Sequence, residues 1–383
     1  MGPEPGDLSV RATKQPSGEG TVAWSWDCRP VWPYPHVSRS PASSIVSETG
    51  ILLNALPTTR RHLALPLLLV GAAVAVLSGV LWGPVAFSPA EVFAALTRSD
   101  APAATIVRQL RLPRVLLAFG VGGSLAVAGA ALQALVRNPL AEPWLLGVSG
   151  GASLGAVLAV VIGLPAGWSV AGCATIGALG AVALVYRIGA VAGRRLDTRV
   201  LLLAGVVVSF FSGAVTTALL AVVEPFTFRT ATVWLFGGFS GASWIGVRDF
   251  TLAAVLPLGL LWGLARALDL LALGDDTAAT LGIDVDRTRR LVILATAVLT
   301  AATVAVAGMI GFVGLVVPHA LRWLIGPMHR RLLPAVFLAG GAFTVLADAV
   351  ARTILRPAEL PVGVVTALVG VPVFALLLRR SIT

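Results

Sequence analysis

RLPRVLLAFGVGGSLAVAGAALQALVRNPLAEPWLLGVSGGASLG, residues 111–155, is the stretch whose reading decides the fold. From Val115 to Val136 it carries no charge, and its polar side chains are Ser124 and Gln133. Spanning a bilayer takes about 20 apolar residues in a helix. Hydrocarbon offers backbone N–H and C=O groups no partners, so a spanning segment is either a helix or a strand of a closed barrel. A continuous apolar run lacks the in-out alternation of a barrel strand. The segment therefore reads as a transmembrane helix, and a second apolar run begins at Trp144, after a short polar connection with Asn138, Pro139 and Glu142.

The same texture extends over most of the chain. It is 57% hydrophobic and 12% charged, with a mean hydropathy of +0.91. Soluble domains are about 45–50% apolar and 25% charged, so a soluble fold is excluded. Ten spans are predicted: Leu63–Phe87, Val115–Val136, Trp144–Leu164, Trp168–Tyr186, Val200–Val223, Phe250–Leu268, Leu291–Gly308, Ile310–Ile325, Leu332–Ala351 and Val362–Leu378. The expected architecture is thus an all-α integral membrane domain over residues 61–383. Residues 1–60 are polar and rich in Pro, Ser and Gly, with Trp24, Trp26 and Trp32 but no apolar run. They read as a disordered or loosely attached cytoplasmic extension, with a misassigned start codon as the alternative. No charged region leading into a short apolar core and cleavage site marks them as a signal peptide.

The net charge of +10 raises the question of nucleic acid, yet the basic residues lie between apolar runs rather than in one patch. With the N-terminus inside, sixteen arginines fall in inner connections and eight outside, so the positive-inside bias puts both termini in the cytoplasm. Lysine occurs once, at Lys14, after Thr13. A phosphate-binding loop of the G-x-x-x-x-G-K-[ST] type needs a Gly-Lys pair, so the chain has no ATP site of that kind. Cys28 and Cys173 are too few and too separated for a disulfide framework or a metal cluster. No HExxH motif or nucleophile-base pair suggests an enzyme.

Several local signals stand out. Gly147, Gly151 and Gly155 lie four apart on one face of the third span, a pattern for close helix packing. Ala-Val-Ala-Gly occurs at 126–129 and 305–308, each copy followed ten residues later by a proline, Pro139 or Pro318; this is either chance or the trace of an inverted repeat. Arg108, Arg111 and Arg114 share a helical face on the outer side, and lipid-phosphate anchoring is one reading of them. Asp348, inside the ninth span, has Arg352 four residues on, an ion pair in which Asp348 positions Arg352. His319 is expected to hydrogen-bond where Pro318 frees a backbone carbonyl.

The 111–155 stretch resembles the iron-chelate and cobalamin permease family of ABC importers. So do ALGDDTAATLGIDV at 272–285, GMIGFVGLVVPHALR at 308–322, LADAVAR at 346–352 and ELPVGVVTALVGVPVF at 359–374, in order across nearly all of residues 105–380. The resemblance implies a cobalamin-permease-like fold of the type II importer kind, with ten helices per subunit. It implies a second permease copy as a homodimer, two ATP-binding cassette subunits and an extracytoplasmic binding protein. The expected location is the bacterial cytoplasmic membrane, with lipid around it and no nucleic acid, cofactor or metal. It assigns coupling to the ATPase to the polar island at 266–290, in Gly274, Asp275, Asp276, Ala279, Leu281 and Gly282; a solvated loop is the alternative. Arg111, Arg114 and Arg352 are the implied contacts for the binding protein, at a wet rim. Thr198 and Arg199 match the cytoplasmic gate, although the family often has a small residue where Arg199 stands, and a snorkelling helix-end arginine is the alternative. The family carries metal chelates. A pathway lined by Ala, Gly, Leu, Val and Phe suits a bulky, partly apolar ligand, with haem ranked ahead of ferric siderophores and cobalamin. A secondary transporter is the competing class; it would need its own intramembrane carboxylate, and the sole candidate, Asp348, is paired.

Overall fold

A computed structural model describes residues 12–16, 22–26, 58–98, 100–164, 168–191, 198–355 and 358–382. The chain divides into two compact units, Met1–Ala55 and Leu56–Thr383. In the first, strands β1 (Ala12–Pro16) and β2 (Val22–Trp26) pair antiparallel with Ala12 opposite Trp26 and Pro16 opposite Val22. This short hairpin was not expected from so polar a segment; alternation of Val22, Trp24 and Trp26 with smaller residues suits a strand.

The described residues of the second unit form helices and their connections. Its helices are α1 (Thr58–Leu81), α2 (Pro89–Thr97), α3 (Leu112–Val136), α4 (Val148–Val161), α5 (Trp168–Val191), α6 (Thr198–Leu220) and α7 (Pro225–Leu235). They continue with α8 (Trp244–Gly263), α9 (Ala265–Leu273), α10 (Asp275–Thr280), α11 (Val285–Ala307), α12 (Val313–Ile325), α13 (His329–Thr353) and α14 (Val362–Ile382). Among the described residues seven helices are long and apolar enough to cross a membrane, and three shorter apolar helices, Val148–Val161, Val313–Ile325 and Val362–Leu376, complete the ten expected segments. The helices α2, α7, α9 and α10 are short connecting elements that a search for 20-residue apolar runs passes over. Ser88 caps α2 reciprocally with Glu91, and hydrogen bonds from the Ser88 backbone and hydroxyl hold the Glu91 carboxyl below its ordinary value.

The central helix is α3. A π-helical turn at Ile106–Arg111 leads into it, and it packs against α13, α11, α12 and α8. Small residues set these distances. A Cβ at Gly129 would lie 1.9 Å from the Gly314 carbonyl oxygen of α12, and one at Gly122 2.4 Å from that of Gly340 on α13. The expected glycine face of the third span does the same: a Cβ at Gly151 would meet the Gly177 oxygen at 2.3 Å, and one at Gly155 the Cys173 oxygen at 2.1 Å, both on α5. Without hydrophobic drive between helices in lipid, association relies on van der Waals packing and interhelical hydrogen bonds, and small residues let the backbones approach closely enough for both.

Two expected spans are broken. The third begins as a 3-10 turn, Pro143–Leu146, and Gly147 at φ +78° redirects the chain into a short α4. The eighth starts only at Val313, after Gly308 at φ +65° ends α11. The Ala-Val-Ala-Gly copies therefore sit differently: 126–129 runs through the middle of α3, whereas 305–308 terminates a helix.

Candidate functional site

Two polar clusters of the membrane unit lie at the ends of α3. At the Arg114 end, Asp348 of α13 is 1% exposed and stands between two guanidinium groups: Arg114 Nη2 at 2.9 Å and Arg352 Nε at 3.0 Å. Arg114 also reaches Glu359, 35% exposed, at 3.0 Å. The Arg352 Nη2 donates to the Gly79 carbonyl at 3.1 Å. Arg111 is 4% exposed; its guanidinium donates to the carbonyls of Val80 and Leu81, both at 2.9 Å, and to that of Val85. It also lies 4.9 Å from the centroid of the Phe87 ring. These groups close off the carbonyls left open where α1 ends. The expected wet rim is thus corrected: the structure brings Arg111, Arg114 and Arg352 together, but inward, with Arg114 and Glu359 nearest the surface. Arg108, in the π-helical turn before α3, donates to the Ala95 carbonyl at 2.6 Å. The Asp348–Arg352 pair is present as expected, with Arg114 as the partner the local pattern could not reveal.

At the other end, Pro318 cannot donate to the carbonyl of Gly314, four residues earlier. That carbonyl accepts instead from Gln133 Nε2 of α3 at 3.2 Å, and Leu315 O does so at 3.3 Å. The Gln133 Oε1 in turn accepts from Arg322 Nη1. The role expected of His319 thus belongs to Gln133. The His319 Nε2 has no hydrogen-bond partner among the described residues, and its ring rests 5.7 Å from Trp323. Glu142, in the connection before the 3-10 turn, accepts from the Phe312 amide at 2.7 Å, where Phe312 turns at φ +67°.

The expected coupling residues form one projecting unit. Gly274 at φ +128° and Gly282 at φ +83° bracket α10, conformations that favour glycine. Asp275 anchors the unit through Arg289 Nη2 at 2.7 Å and Arg137 Nη2 at 3.7 Å, and Ala278 is fully buried. Asp276, Ala279 and Leu281 are exposed, Leu281 at 59%. Thr198 and Arg199 begin α6; their side chains lie outside the described residues.

Two neighbouring cavities share Trp144, Leu235 and Met309. One, about 760 Å3, lies between α4 and α6 and includes Ser149, Ser153, Ser209 and Thr217 among its walls. The other, about 560 Å3, is walled by Phe236, Phe312, Val364 and Pro372. Both linings are mainly apolar, and those four hydroxyl side chains lie in the larger cavity. No cluster of His, Cys, Asp or Glu among the described residues could hold a metal ion.

A bundle of seven helices long and apolar enough to cross a membrane and three shorter apolar ones, with broken helices around apolar cavities, defines a multi-pass membrane protein. The chain belongs to the FecCD transport family, whose model matches residues 68–380. It is similar to the cobalamin import system permease protein BtuC of Halobacterium salinarum, with 41% identity over 91% of this chain and 90% of that protein. Similarity to the vitamin B12 import system permease protein BtuC of Salmonella arizonae is 44%, over 72% of this chain and 83% of that one. Among solved structures, an inward-facing metal-chelate type ABC transporter superposes with a TM-score of 0.76 at 30% identity, covering 82% of this chain and 98% of its own.

Proposed function

We propose that the chain is the membrane-spanning subunit of an ATP-driven importer that passes cobalamin from an extracytoplasmic binding protein into the cytoplasm. The observation that carries this reading is the 41% identity, across 91% of the chain, to a relative named for cobalamin import. Haem, which composition alone ranks first, draws no support from the relatives. In this reading two copies of the chain form a homodimer in a bacterial cytoplasmic membrane, both termini face the cytoplasm, and two ATP-binding cassette subunits hydrolyse ATP. The exposed face of α10, with Gly274, Asp275, Asp276, Ala279, Leu281 and Gly282, docks into the ATPase. At the opposite end Arg114 meets the binding protein, because Glu359 beside it is 35% exposed and can yield to an incoming carboxylate. Arg111 and Arg352 hold that surface in place. Thr198 and Arg199 narrow the cytoplasmic gate, and residues 1–60 form an accessory extension to a permease domain at 61–383.

The test is uptake of radiolabelled cyanocobalamin by cells lacking their own cobalamin permease, supplied with this chain and its cognate ATPase and binding protein. Uptake should be abolished by excess unlabelled cobalamin and unaffected by haem. Haem uptake without cobalamin uptake would overturn the substrate assignment.

A further inference from the structure

A groove outside the cavities described above is formed by α1, α8 and α13 near the Arg137 end of the bundle. Leu65, Leu69, Leu258, Trp262, Pro334 and Phe337 line it, and it encloses about 400 Å3. That is within the usual size of small-molecule sites, about 300–1,000 Å3. Its walls are apolar, and Leu69 and Trp262 are open to the surroundings, at 52% and 56%.

The polar mouth of the groove follows from helix geometry. On α13, Arg330 stands three and four residues before Leu333 and Pro334, and seven and eight before Phe337 and Leu338, so all share one face. The Trp262 indole nitrogen donates to the Arg330 carbonyl at 3.4 Å, which ties the groove to that turn. Arg331 is adjacent, and Arg266 follows Trp262 by four residues at the start of α9. All three arginines are exposed. The nearby carboxylate is already engaged: Asp269 accepts from the His329 amide at 2.9 Å and lies 2.6 Å from its Nδ1. Among the described residues, Arg266, Arg330 and Arg331 thus meet no acidic partner, unlike Arg114, Arg289 and Arg352, which all do.

From this juxtaposition we infer that the α1–α8–α13 groove binds an anionic phospholipid, with an acyl chain against Leu69 and Pro334 and the phosphate on Arg330 and Arg331. Guanidinium groups match phosphate oxygens in a bidentate manner, and basic pockets at helix ends attract anionic headgroups. Charge selects the anionic lipid over a zwitterionic one, and the apolar groove separates a bound lipid from diffuse attraction. The inference does not depend on which ligand the chain transports.

The test uses the purified full-length chain and native mass spectrometry, titrating phosphatidylglycerol and, separately, phosphatidylcholine. Phosphatidylglycerol should be retained preferentially. Arg330→Gln with Arg331→Gln should bind it about thirtyfold more weakly, the equivalent of about 2 kcal/mol. Leu69→Trp, which fills the groove and leaves every charge in place, should also reduce retention. Equal retention of the two lipids, or unchanged phosphatidylglycerol affinity in the arginine variant, would overturn the inference. If the arginine variant instead loses co-purifying ATPase subunit with lipid affinity intact, the surface serves a protein partner and the lipid site is refuted.

Discussion

Replacing Asp348 by Asn should destabilise the membrane unit by about 3 kcal/mol, the lower end of the roughly 3–5 kcal/mol for removing one partner of a buried ion pair. The reasoning starts from the charges that Asp348 balances. Its carboxylate accepts from Arg114 Nε at 3.1 Å and Nη2 at 2.9 Å, and pairs with Arg352 Nε at 3.0 Å. Asparagine keeps the shape but brings no charge and turns an N–H₂ group toward one guanidinium. Arg114 retains Glu359, at 3.2 and 3.0 Å, so the uncompensated charge is that of Arg352, 2% exposed and left with two backbone carbonyls. This retained pair is why the lower end applies. The companion variant carries Asp348→Leu and Arg352→Met together. Because apolar replacement of a whole buried pair is often near neutral, the double change should cost less than Asp348→Asn alone. Unfolding in mixed detergent and SDS micelles, followed by circular dichroism, measures both. A loss below about 1 kcal/mol for Asp348→Asn, or a double variant worse than the single one, would refute the burial argument.

Gln133→Leu removes three hydrogen bonds across α3 and α12, and at about 0.6 kcal/mol each in a membrane interior it should cost about 2 kcal/mol; the same SDS titration reads it, and no loss would mean the bonds are replaceable. Gly151→Val puts a Cβ where the Gly177 oxygen would be 2.3 Å away, so it should destabilise by about 1–3 kcal/mol, whereas Gly172→Ala, with open space around it, should leave the monodisperse yield unchanged. Exchanging Asp275–Leu281 for a Gly/Ser linker should leave the bundle folded but abolish ligand-stimulated ATP hydrolysis in the reconstituted complex; preserved stimulation would remove α10 from the coupling role.

The ten segments were legible because the membrane makes each helix satisfy its own backbone, so a local apolar run suffices to find it. The helix-packing glycines were legible for a similar reason, since four-residue spacing is a local pattern. What stayed hidden depends on residues distant in sequence. Arg114 and Asp348 are 234 positions apart, and Gln133 and Gly314 are 181 apart, so neither pairing leaves a periodic trace. Asp348 and Arg352, four apart, were found because one turn of helix is enough. The arginines read as a wet rim because the family resemblance set them against a binding protein, and charge is ordinarily a surface signal. A clue was present in the exposed carbonyls expected where α1 ends, which need donors from somewhere. The interruption at Gly147 had a clue too, in Pro139 and Pro143 just before it.

The broken segments of the bundle are not scattered. Gly237, at φ +71°, lies between α7 and α8. The Gly238 amide donates to the Ala307 carbonyl at 2.8 Å, and the Val362 amide to the Gly237 carbonyl at 3.0 Å. A Cβ at Gly363 would lie 2.4 Å from the Phe236 oxygen and 2.8 Å from that of Met309. The ends of α7 and α11 and the start of α14 therefore satisfy one another at a single point, and Glu142 adds its bond to Phe312 from the far side of the same break. Irregular backbone at membrane depth is tolerated only where it is buried in protein or lines a cavity. Here it does both, because Phe236, Met309, Gly311, Phe312 and Gly363 are also walls of the 560 Å3 cavity. Helix interiors resist deformation, since each residue is held by its neighbours' hydrogen bonds. A wall built from helix ends and glycines can instead change shape by exchanging a few backbone bonds. The cavity thus sits against a wall of helix ends and glycines, held by backbone bonds between elements, within an otherwise tightly packed bundle.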